Sequence, residues 1–210
     1  MKIIRVVLAV VAISFLFIDV GVSRADTLNL VQVPVDQYGG FYVGYTGGNV
    51  NGSNTIAITD RFVCDDFVDH TYLPAHFPVF VSTLSDLSKT YFGSQTGSLF
   101  KYQQAAWLMS QFDTHPTDIG PIQYAIWKIF TPSTPDAAGL SDTWLTLSAA
   151  INPNDYDFSR FRIYTPTTLK ADGSRDQEFL GLTPVPIPGA ILLFGPGVAG
   201  LAAIRRRFKK

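Results

Sequence analysis

Both ends of the chain are apolar and neither run belongs in a globular core, which confines the foldable part to the stretch between them. Met1 to Ala25 opens with Lys2 and Arg5, continues as an apolar run from Val6 to Ile18, and closes on Ser23-Arg24-Ala25 before Asp26. A basic start, a run short for a bilayer span and a small residue at the boundary predict a secretory signal peptide over 1–25. The alternative for the same run is an uncleaved N-terminal anchor. At the other end, Pro184 to Pro188 leads into an apolar stretch from Gly189 to Ile204, followed by Arg205, Arg206, Arg207, Lys209 and Lys210. This pattern predicts a transmembrane helix over about 189–204, its Val185–Pro188 flank completing the span, with a basic tail at 205–210. Five positive charges on one flank orient the span with Lys210 inside and the preceding residues outside.

Pro186-Ile187-Pro188, the Gly/Leu-rich stretch and the Arg-rich tail together resemble the PEP-CTERM sorting signal of Gram-negative bacteria, here over 184–210. The resemblance implies processing by signal peptidase and an exosortase, a transient membrane anchor, and delivery to the cell surface or extracellular matrix. Pro186, Pro188, Arg205, Arg206 and Arg207 are the residues that carry it, and Ile187 stands where that signal usually has Glu. An ordinary C-terminal membrane anchor is the simpler alternative.

With the ends set aside, the charge balance changes. The full chain sums to −1, yet residues 26–188 hold 8 Lys/Arg against 16 Asp/Glu, a net of −8. An acidic domain repels phosphate backbones, so nucleic acid is excluded as a partner. About 160 residues suit one domain with its own core, assigned here to 26–183.

The chain has one cysteine, Cys64, in the run RFVCDDFVDH. A lone thiol in an oxidising compartment is prone to oxidation or mispairing. It could serve as a small buried apolar residue, pair between chains, or be engaged with another side chain. One Cys and three His cannot build a thiolate-rich zinc site, and no cofactor or metal is expected.

Strand character recurs at Leu28–Val35, Tyr42–Tyr45 and Thr55–Phe67, with Asn51-Gly52 as a hairpin signal between the last two. Helices are predicted over Thr83–Tyr91, Tyr102–Phe112, the segment GPIQYAIWKIF (Gly120–Phe130) and Ser141–Ala150, with Ser141 as a cap. Phe161–Thr165 and Glu178–Leu182 read as closing strands. Strands at both ends with helices between them predict an α+β domain, an antiparallel sheet or barrel with a helical insertion.

Two helices repeat one pattern. QQAAW at Gln103–Trp107 and QYAIW at Gln123–Trp127 both place a glutamine one turn before a tryptophan on the same face. Close helix packing explains the alanines and tryptophans. It leaves the glutamines unexplained, since a buried carboxamide without partners costs about 1–3 kcal/mol.

FVCDDF, YQQAAW and IQYAIW, in that order, resemble the thioester domains of bacterial surface adhesins over roughly Tyr42 to Thr183. The resemblance implies an internal thioester between the Cys64 sulfur and Gln123, with Gln103 in a supporting motif; Ile122 stands where the last motif usually has Thr. Gln103 remains the other candidate acyl partner. A Cys thiolate attacking a Gln carboxamide expels ammonia and leaves an activated acyl group, which an amine or hydroxyl can capture. Such a bond needs near-attack geometry, donors on the carbonyl and shielding from water. Trp107 and Trp127 are assigned to the shield. Asp65 and Asp66 are read as hydrogen-bonding or ion-positioning groups, because a neighbouring carboxylate raises a thiol's pKa.

The leading expectation is therefore a surface or matrix protein that attaches once and covalently to an amine- or hydroxyl-bearing partner, and not an enzyme. One alternative is a Cys64-dependent transpeptidase or hydrolase using His70, His76 or His115 as base. The other is a structural, polysaccharide-associated protein with an inert core cysteine.

Overall fold

The computed structural model describes residues 26–34, 36–51, 60–136 and 139–183. The predicted signal peptide, the span at 189–204 and the sorting residues Pro186, Pro188, Arg205, Arg206 and Arg207 lie outside the described residues. Among the described residues no helix is long and apolar enough to cross a membrane.

The elements run β1 (Asp26–Gln32), β2 (Asp36–Tyr38), β3 (Phe41–Val43), β4 (Thr46–Val50), β5 (Asp60–Cys64), β6 (Ala75–Ser82), α1 (Ser98–Gln111), α2 (Ile119–Phe130), α3 (Asp142–Ala149), β7 (Phe161–Pro166) and β8 (Phe179–Leu182). Six strands close an antiparallel barrel in the order β1-β4-β5-β8-β7-β6, while β2 and β3 form a separate two-stranded hairpin. The fold is α+β, with the three α-helices of the described residues inserted between β6 and β7.

Alternation along the strands divides the core in two. Phe62 and Cys64 of β5, Tyr164 of β7 and Phe179 of β8 turn into the barrel with Leu28, Leu30, Phe77 and Val79. Their neighbours Val63, Ile163 and Leu180 turn outward and meet the helices through Tyr102, Leu108, Ile122 and Ile126. Closure leaves these six strands no open edge in the ring. Helix α2 is buried on almost every side, from Gly120 through Phe130 except at Pro121 and Lys128, as expected of a helix wedged between two layers.

Several sequence expectations shift. The helix predicted over Thr83–Tyr91 is a succession of turns, closed by Asp86 N–H to Thr83 O, Thr90 N–H to Leu87 O and the Asp86 carboxylate accepting from Ser88 N–H. Short polar side chains that bond their own backbone favour turns over helix. Strand β6 carries His76 and Pro78 and was not anticipated. Tyr42–Tyr45 is not one strand: it breaks at Gly44, whose φ of 91° no extended strand accommodates. Ser141 does not cap α3 through its side chain; its hydroxyl donates to Asp136 instead.

The β2–β3 hairpin lies on α2. Tyr38 sits where a Cβ on Gly120 would stand, 2.5 Å from its ring, so only glycine permits this approach. Val43 of the hairpin packs with Tyr124 and Trp127 in a third small cluster beside Tyr38, Phe67 and Ile119. Phe41 and Tyr42 of the hairpin share a cavity lining with Cys64.

Candidate functional site

Cys64 is the last residue of β5 and points to the mouth of the barrel, where it lines a cavity of about 540 Å³. Gln123 and Trp127, one turn apart on α2, line the same cavity. Phe41, Phe67 and Trp127 form an interlocked trio of rings on one wall, with centroids 5.1 to 6.1 Å apart. Tyr42 and Tyr72 stand at its edge, 52% and 81% exposed.

The Gln123 side chain is 1% exposed and held at both ends of its carboxamide. Its Nε2 donates to the Cys64 carbonyl at 2.6 Å, and its Oε1 accepts the Gly44 N–H at 3.2 Å. Gly44 can present that N–H because of its positive φ; a Cβ there would meet Ile119 Cγ2 at 2.8 Å. The carboxamide is thus tied to the backbone of the residue that carries the thiol, with a donor already on its carbonyl oxygen.

The thiol is also held. Cys64 Sγ donates to the Asp66 carbonyl at 2.9 Å. Burial pushes the Cys64 thiol well above its ordinary range, with Asp66 and Asp65 adding to the rise and the indole N–H of Trp127 opposing it. That indole nitrogen has no hydrogen-bond partner of good geometry, yet it sits beside the sulfur, where its positive edge favours thiolate. Asp66 itself is buried; its Oδ1 accepts from Val68 N–H and Asp69 N–H, and burial raises its pKa to about 6.

Asp65 turns the other way, to the helix side of the sheet, and meets Glu178, the residue before β8. Glu178 accepts from Tyr102 OH and Thr165 OH, each at 2.5 Å, and from Tyr91 N–H at 2.9 Å. Neither Asp65 oxygen has a donor, and burial followed by the Glu178 charge drives its pKa far up. Burial raises the Glu178 pKa too, but its three donors favour the ionised form, so of the two carboxyls Asp65 keeps its proton more readily. The carboxyl next to the thiol in sequence is therefore a structural acid behind the strand, not a group in the cavity.

The structure brings Cys64, Gln123 and Trp127 together and places Gln103 and Trp107, like Asp65, elsewhere. Gln103 and Trp107 lie on α1 and do not line the cavity; Trp107 packs on the helix-side core, 6.3 Å from Trp144 between ring centroids. The repeated Gln-x-Ala-x-Trp pattern thus serves two different environments. Of the three histidines, His70 lines the cavity, His76 contacts Asn29 on β1, and His115 packs against Trp144. Among the described residues no three His, Cys, Asp or Glu side chains are grouped as metal ligands. Sequence reasoning missed Gly44, the Asp66 carbonyl and Gln177. Gly44 carried a weak signal as a glycine inside a strand-like run; a backbone carbonyl and a loop glutamine carry none.

Compared with known proteins, the chain matches no family model, no curated protein and no solved structure.

Proposed function

We propose that this is a secreted surface or matrix protein in which Cys64 and Gln123 condense into an internal thioester, spent once in covalent attachment to an extracellular partner. The observation that carries the reading is the clamp on Gln123: one backbone donor on its carbonyl, one backbone acceptor on its nitrogen, and the thiol of the same residue in the shared cavity.

The chemistry follows from those contacts. The Cys64 sulfur attacks Gln123 Cδ; the Gly44 N–H stabilises negative charge on Oε1, as a preorganised donor does in acyl transfer. The C–N bond breaks, the thiol proton leaves with the nitrogen, and ammonia departs. Attachment reverses the roles: an amine or hydroxyl attacks Cδ, the C–S bond breaks, and the incoming group's proton ends on the sulfur. Trp127 beside the leaving sulfur offers its N–H to the developing thiolate, while Phe41, Phe67 and Trp127 keep bulk water from the acyl carbon. Secretion, the transient C-terminal anchor and exosortase processing are part of the same proposal and rest on the two end segments. Because each molecule acts once, the protein is not an enzyme in this reading.

Intact-mass analysis of the purified chain tests the proposal: it expects the loss of one ammonia, regained as a methylamine adduct on the Gln123 peptide. A full-mass chain with no adduct would sink it. His70 at the cavity favours the Cys-dependent hydrolase as second reading. His70→Ala separates the two, since a thioester survives that change and hydrolytic turnover does not.

A further inference from the structure

Gln177 lies just before β8, half-buried, and its side chain bridges two points of the loop that follows Cys64. Its Nε2 donates to the Asp66 carbonyl at 2.8 Å and its Oε1 accepts Thr71 N–H at 3.2 Å. Thr71 returns the contact, its hydroxyl oxygen accepting the Gln177 N–H at 2.8 Å. The Asp66 carbonyl is the same oxygen that takes the Cys64 thiol proton at 2.9 Å. Two donors, one from the thiol and one from Gln177, therefore converge on a single oxygen of a buried residue.

We infer that Gln177 is a positioning residue for the Cys64 sulfur, acting through the Asp66 carbonyl. The inference rests on the thioester reading for its consequence, and its physical basis is the fate of that oxygen. While Cys64 is a thiol, the S–H fixes the direction of the sulfur by pointing at the carbonyl. When the sulfur becomes acylated its proton is gone, and the carbonyl keeps a partner only through Gln177. A buried acceptor left without a donor is destabilising, so Gln177 favours the acylated state over one in which the loop must rearrange. The reciprocal pair with Thr71 holds Gln177 in place for this task. A second cavity glutamine also bears on the site of acylation: Gln177 lines the cavity with Gln123, but its carbonyl faces Thr71 N–H and not the Gly44 donor.

The test compares Gln177→Ala and Gln177→Glu with wild type in the full chain. Glu keeps the acceptor for Thr71 N–H but, ionised, cannot donate to Asp66; protonated, it can. The first readout is the fraction of folded molecules that have lost ammonia, with the adduct mapped after methylamine. Both variants are expected to lower that fraction, with the adduct on Gln123. The second readout is the rate at which native Cys64, after methylamine treatment, reacts with a dithiopyridine disulfide. It needs no thioester, so it tests the positioning even if the thioester reading fails. Loss of one ordinary hydrogen bond predicts a rate about fivefold above wild type for Gln177→Ala near neutral pH. The ionised carboxylate of Gln177→Glu raises the thiol's pKa, so its rate should rise less than that of Gln177→Ala. A wild-type thiol rate in Gln177→Ala would overturn the inference, because the Asp66 carbonyl would then direct the sulfur without Gln177. Mapping the methylamine to Gln177 would overturn it as well.

Discussion

Asp66→Asn isolates the electrostatic strain stored beside the thiol. In the folded protein the carboxyl is 1% exposed, and burial lifts its pKa from 3.8 to about 6 despite the Val68 and Asp69 N–H groups on Oδ1. An acid whose folded pKa lies above its unfolded one holds its proton more tightly when folded. Its contribution to stability is fully present below the unfolded value near pH 4 and is lost as pH rises through the folded value near 6. A shift of that size, at about 1.4 kcal/mol per pH unit, corresponds to about 3 kcal/mol lost by wild type between those limits. Asparagine retains an oxygen for Val68 N–H and does not titrate. The stability of Asp66→Asn relative to wild type should therefore rise from pH 4 to pH 7 by about 3 kcal/mol. Urea unfolding followed by tryptophan fluorescence across that range measures it directly. A difference between the two proteins that stays flat with pH would refute the assignment, since only a titrating group can produce the slope. Asp65, pushed up by burial and by Glu178, adds a fall in wild type that Asp66→Asn leaves in place; Asp65→Asn, whose amide can still donate to Glu178, should remove that part separately.

The other predictions concern the clamp and its cover. Gln123→Ala strips partners from the Gly44 N–H and the Cys64 carbonyl and should cost about 2 kcal/mol in urea unfolding, besides abolishing ammonia loss in the mass spectrum. Gly44→Ala forces a Cβ onto a φ of 91° and against Ile119; a loss of about 1–2 kcal/mol is expected, together with thioester formation slowed by about a hundredfold or more as the carbonyl donor shifts. Under the proposed thioester, Trp127→Phe should speed its hydrolysis, followed by appearance of free thiol, whereas Trp107→Phe should leave that rate unchanged because Trp107 does not line the cavity.

The run of strand, helix and strand segments was readable because alternation and helical periodicity are local properties of the chain. So were the buried stripe of α2 and the oddity of Gln123 beneath Trp127. What local pattern could not supply was the pairing of β5 with β8 and of β1 with β6, which joins residues far apart in sequence and closes the barrel. Closure decides which face of β5 is inside, and hence that Cys64 meets the cavity while Asp65 meets Glu178. The same limit explains the failure over Thr83–Tyr91, where side chains close turns on their own backbone, and the unforeseen β6, whose Pro78 argues against a strand until its neighbours are known. Gln103 and Gln123 are equivalent as local sequence and unequal in space, because α2 is wedged against the barrel mouth and α1 is not. The residues able to do the chemistry are a matter of composition and spacing; the direction in which each side chain points is set by long-range strand pairing, and Gln123 meets Cys64 only once the ring of strands has closed.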